Sequence, residues 1–148
     1  MIYIAKFYSK KFLTQDRQYI RNLELEIEIM RFLGKYKHIV ELVEVHETSS
    51  DVILIMEYIE GMPLNQLFNL IKDGMVTKTI VLKVIKEILE AIIYMNKFGV
   101  VHLNINVFNI LWRQSPDISL FDNEVVLLNF GISKYFTYKD EKKDSFKI

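Results

Sequence analysis

From Thr77 to Phe98 the chain carries Ile80, Leu82, Val84, Ile85, Ile88, Leu89, Ile92 and Met95. Their three- and four-residue steps predict a helix, and they go round most of its circumference. A helix with a single apolar stripe lies on a surface. One that is apolar on most sides needs neighbours on most sides, so this helix belongs in the middle of a helical layer. Lys97-Phe98-Gly99 ends it. Two short segments rich in polar, chemistry-bearing residues follow. One is Val100 to Leu111, with His102, Asn104, Asn106 and Asn109; the other is Leu127-Leu128-Asn129-Phe130-Gly131.

The chain is long enough to bury such a helix. Its 148 residues, 51% apolar and 26% charged, fit one domain with a real core. The 19 basic and 19 acidic residues cancel, which argues against nucleic acid or an anionic membrane as a main partner. The lack of cysteine removes disulfides, a thiolate nucleophile and Cys-based zinc sites. His38, His46 and His102 are not spaced as ligands of one metal. The opening run Met1 to Lys6 is too short for a signal peptide, and no stretch of about 18 apolar residues predicts a membrane span. A reducing cytoplasmic setting, or a nuclear one, is the default expectation.

Upstream of the long helix, residues 2–8 are rich in β-branched and aromatic side chains and predict a strand. From Gln15 to Leu33 the positions of Ile20, Leu23, Ile27, Met30 and Leu33 predict an amphipathic helix stopped by Gly34. His38 to His46 and Asp51 to Tyr58 read as two strands of a hairpin, with Thr48 to Asp51 as the turn. Pro63 to Ile71 predicts a short helix with the proline in its first turn. After the long helix, Val100-Val101, Ile110 to Trp112 and Val125 to Leu128 read as short strands, and the mixed-charge run from Tyr138 as a solvated tail. There is no internal repeat.

The segment from His102 to Asn109, followed by Asn129-Phe130-Gly131, resembles the catalytic loop (H-R-D-L-x-x-x-N) and metal-binding loop (D-F-G) of protein kinases. Other residues fall in the same order as in that family. Ala5-Lys6 resembles the strand whose lysine holds the α- and β-phosphates of ATP. Glu26 stands where the family has the glutamate that pairs with it, with Glu24 and Glu28 as nearby rivals. Leu54 to Gly61 resembles the segment joining the two lobes, where Met56 would be the gatekeeper and Glu57 and Ile59 would present backbone groups to the adenine. Ala5 and Leu111 would sandwich the ring. Met30, Leu42, His102 and Phe130 occupy the places of the stack that links the lobes. The style is that of serine/threonine kinases, in the neighbourhood of the calmodulin-dependent ones.

The resemblance covers residues 2–135. It implies an α+β class, a partial protein-kinase fold: a small lobe in 1–60, part of a large lobe in 61–135, and a charged tail in 136–148. The family's two strands and Gly-rich loop ahead of the lysine, and its Ala-Pro-Glu and later helices, have no counterpart in the sequence. An open sheet edge beside Lys6 and an uncovered flank of the long helix are therefore expected, and with them a protein partner.

The departures that matter chemically are at single positions. Asn104 stands at the catalytic base, and an amide oxygen orients a hydroxyl without accepting its proton. Asn129 stands at the metal-binding aspartate, leaving Asn109 and Asn129 as neutral ligands where Mg²⁺ prefers anions. Asn106 replaces the lysine that contacts the transferred phosphate, and Leu103 replaces an arginine. The expectation is a catalytically impaired, pseudokinase-type domain that binds nucleotide or a protein partner. ATP would be held weakly through its adenine, with Mg²⁺ poorly retained. Two other readings stay open at this level: a divergent serine/threonine kinase, and a gene segment without selected function.

Overall fold

The computed structural model describes residues 2–71, 77–114 and 123–136. The first strand, β1 (Tyr3–Ser9), runs into a short turn of helix, α1 (Lys10–Leu13), and then into α2 (Arg17–Leu33). Asp16 starts α2 by accepting a hydrogen bond from the Gln18 amide at 2.8 Å. Gly34 ends it in the left-handed region, at φ 60°, where its amide reaches the Met30 carbonyl. The apolar period places Leu23, Ile29, Met30 and Leu33 inward, and Glu26 goes in with them.

Strands β2 (Leu42–Glu47) and β3 (Asp51–Glu57) complete an antiparallel sheet of order β1-β3-β2. The strand expected from His38 begins only at Leu42. Residues 38–40 instead pair with a later segment: the His38 carbonyl accepts from the Leu127 amide at 2.9 Å, and the Val40 amide donates to the Leu127 carbonyl at 3.1 Å. His38, Ile39 and Val40 are all buried, without the alternation of a half-exposed strand.

The second half opens with β4 (Gly61–Pro63), followed directly by α3 (Leu64–Ile71). Pro63 is thus the last residue of a strand and not part of the helix. It lies on the edge strand of a second sheet, opposite Leu111, where its missing N–H is tolerated. After α4 (Lys78–Lys97) come β5 (Val100–Val101), β6 (Ile110–Arg113), β7 (Val125–Leu127) and β8 (Lys134–Tyr135). The sheet orders are β4-β6-β7 and β5-β8.

One core cluster crosses both halves, from Ile29, Met30 and Leu33 through Ile39 and Val40 to Trp112, Val126 and Phe130. The long helix is enclosed on one side only among the described residues. Ile80, Val84, Ala91 and Met95 are buried, but Leu82, Ile85, Leu89 and Ile93 are 50–57% exposed. The expected charged tail lies, beyond Phe136, outside the described residues.

Candidate functional site

Where the two halves meet, a cavity of about 240 Å³ opens between β1, α2, the end of β3 and the segment after it, β6, and the residues that follow β7. Its walls are mainly apolar. Met56, Glu57 and Ile59 form one side, Leu111 and Leu128 another, and Lys6, Glu26 and Asn129 supply polar atoms. Ala5 is not among the lining residues. Strand residues two apart share a face, so the cavity-side neighbour of Lys6 is Ile4, and Ala5 points the other way and is exposed. Ile4, Val40 and Leu128 line the cavity without having been expected there, and counting in twos back from Lys6 is enough to find Ile4.

The Lys6 ammonium meets the Glu26 carboxylate at 2.8 Å, and Glu26 is 2% exposed. Its rivals Glu24 and Glu28 lie on the exposed side of α2. Glu26 has a second partner, the Tyr8 hydroxyl, which donates to its other oxygen. Burial first, and then the Glu26 carboxylate, push the Tyr8 phenol well above its usual range, so it remains a donor. Glu57 uses its side chain locally, accepting from the Glu41 amide at 3.0 Å and facing the Arg113 guanidinium at 3.4 Å.

The loop between β5 and β6 is built on amides. His102 donates from Nε2 to the Leu128 carbonyl at 2.9 Å and accepts at Nδ1 from the Asn104 amide at 3.1 Å. Burial holds its imidazole below the ordinary range, against the opposing effect of the Leu128 carbonyl. The His102 ring stands edge-on to Phe130, with centroids 4.8 Å apart. Phe130 and Met30 share the core cluster, with Leu42 packed against it.

Asn106 turns into its own loop. Its Nδ2 donates to the Asn104 side-chain oxygen at 2.9 Å, and its Oδ1 accepts from the amides of Phe108 and Asn109 at 2.9 and 3.2 Å. This is the local turn-forming habit of asparagine. Asn109 donates to the Asn104 carbonyl at 2.9 Å, and its own Oδ1 accepts from Asn129 at 3.3 Å. The side-chain oxygens of Asn104 and Asn109 therefore already face amide hydrogens, and Asn129 turns its amide nitrogen toward Asn109.

That donor set does not fit a divalent cation. The kinase fold implies Mg²⁺, which is held through carboxylates and phosphates. Here Asn109 and Asn129 are neutral and bonded to each other, and among the described residues no group of three or more acidic, His or Cys side chains is placed to bind a metal.

The match to known proteins agrees with this layout. Residues 1–147 match the protein kinase domain family. The death-associated protein kinase dapk-1 of Caenorhabditis elegans is 30% identical over 89% of this chain and 9% of its own length. A calcium/calmodulin-dependent protein kinase type 1 of Macrobrachium nipponense is 35% identical over 76% of this chain and 31% of its own. Myosin light chain kinase 2 of Rattus norvegicus is 30% identical over 93% of this chain and 21% of its own. The chain thus spans under a third of the length of each of these relatives. Family match, relatives and fold together make the chain a member of the protein kinase family.

Proposed function

We propose that this kinase-like domain is catalytically impaired and acts by binding, taking the adenine end of a nucleotide in the cavity walled by Met56, Glu57, Ile59 and Leu111 and presenting its surface to a protein partner. The observation that supports this most is the amide network. Asn104, at the base position, accepts from Asn106, and Asn109, at a metal position, accepts from Asn129. Phosphoryl transfer depends on positioning and on charge stabilisation by metal. A network of neutral groups that satisfy one another offers neither a proton acceptor nor an anionic metal ligand. The nucleotide would be an ATP-like ligand, bound weakly and without dependence on Mg²⁺.

A second reading is favoured by one feature: Lys6–Glu26 is paired and the Phe130–His102 packing is assembled, the arrangement an active kinase also needs. On that reading the chain belongs to a divergent serine/threonine kinase. A phosphotransfer assay on a generic protein substrate separates the two. We expect no transfer from the wild type and none from Asn104→Asp/Asn129→Asp. Transfer by the wild type that disappears in Lys6→Ala would contradict the binding reading.

A further inference from the structure

His38 is buried, and both of its ring nitrogens face oxygens. Nδ1 lies 2.8 Å from the Val125 carbonyl, and Nε2 lies 3.2 Å from a carboxylate oxygen of Glu90. A neutral imidazole carries one N–H, so either neutral form would turn a lone pair toward an acceptor. Neither oxygen supplies the missing hydrogen. The Val125 carbonyl has none. The Lys37 ammonium, 3.0 Å from Glu90, holds that carboxyl below the usual carboxylate range against the opposing effect of burial, so Glu90 is ionised.

The surroundings add negative charge and little water. The Glu87 carboxylate lies 3.9 Å from Nδ1; it is itself buried, accepts from the Val125 amide at 2.8 Å and pairs with Lys83 one turn back on α4. Lys86 faces Glu90 at 3.8 Å, and Glu124, the residue before β7, adds a negative charge near Lys37. The Tyr36 ring stands across that of His38, with centroids 5.8 Å apart. β6 and β7 bring only the apolar side chains of Ile110, Val125 and Leu127 to this place, and the space left there is too small for a water molecule. His38 also sits at the joint between the halves. Its carbonyl takes the Leu127 amide, Val40 two residues on lines the cavity, and Leu128 and Asn129 follow Leu127 into the same wall.

We propose that His38 is a proton-dependent clasp: with a hydrogen on each ring nitrogen it ties the segment after α2 to α4 through Glu90 and to β7 through Val125, and with one it keeps only the Val125 bond. The hydrogen that leaves is the one on Nε2. It passes to solvent on the side of Glu90, which is 31% exposed, while Nδ1 in the dry space keeps its own. Glu90 is left with Lys37 and Lys86. The clasp is therefore closed at low pH and opens as the pH rises, the opposite sense to His102, whose burial favours the neutral ring. It does not depend on the nucleotide reading.

Long-range proton–nitrogen NMR spectra of the imidazole, recorded on the purified chain from about pH 6 to 9, read each ring nitrogen directly. At about pH 7.5, where an ordinary histidine is mostly neutral, His38 should show both nitrogens protonated. Glu90→Gln should show one, because the new amide donates to Nε2. As the pH rises further the Nε2 hydrogen should go first, and the backbone amides of Val40 and Leu127 should shift along the same curve. One protonated nitrogen in the wild type at about pH 7.5, or a charge state unaltered by Glu90→Gln, would overturn the clasp. So would a ring still charged at about pH 9, or amides that ignore its titration. If Glu90→Gln does not fold, the wild-type ring and the two amides decide the matter.

Discussion

Leu103 and Asn129 are the two described non-glycine residues with positive φ, at 64° and 66°. For Asn129 this is ordinary chemistry, since asparagine visits the left-handed region readily. For Leu103 it is strain of about 1–2 kcal/mol, and the 58% exposure of its side chain returns little through burial. Leu103→Asn should therefore stabilise the fold by about 1 kcal/mol in urea unfolding; a loss of stability would mean the leucine makes a contact of greater worth. His102 makes a prediction of opposite character. Its folded value is depressed, so the unfolded chain binds more protons below the ordinary value near 6.5. The stability it contributes is complete above about pH 6.5 and is lost as the pH falls toward the depressed value. His102→Gln should flatten the fall in unfolding midpoint between about pH 7 and 5, and an unchanged slope would assign that fall to other groups.

At the scale of elements, α4 shows how far periodicity carries. Its apolar steps identify the helix but imply enclosure on most sides, whereas Leu82, Ile85, Leu89 and Ile93 form an exposed stripe. Replacing Ile85 and Leu89 by Gln should change the unfolding free energy by no more than about 0.5 kcal/mol each, while Met95→Ala on the buried face should cost about 2–5 kcal/mol. Comparable losses on both faces would mean that the stripe is covered in solution. The same logic explains what is legible in the sequence. Strands β1 and β3 and helices α2 and α4 are long enough for pattern to identify them. The elements β4 and β8 are two or three residues long and exist only through partners far along the chain, Pro63 with Leu111 and Val100 with Tyr135. Local pattern misplaces the start of β2 for the same reason: residues 38–40 pair with β7, a partner that no nearby residue announces.

For the molecule as a whole, three small sheets and two long helices meet, the larger core cluster crosses both halves, and the cavity lies where the halves join. Motif spacing picks out Lys6, Glu26, Met56 and Asn129, which lie together around that cavity. It cannot show that Ile4 takes the place given to Ala5, that Tyr8 shares Glu26, or that Asn106 folds back into its loop, because these depend on strand parity and side-chain direction. Asparagines that bond to one another in place of a metal leave ATP binding without dependence on Mg²⁺. Calorimetric titration of ATP into the purified chain, in Mg²⁺ and in EDTA, tests it directly. Weak binding with the same Kd in both is expected. An affinity at least about tenfold tighter in Mg²⁺, equivalent to about 1.4 kcal/mol of metal-dependent binding, would contradict it.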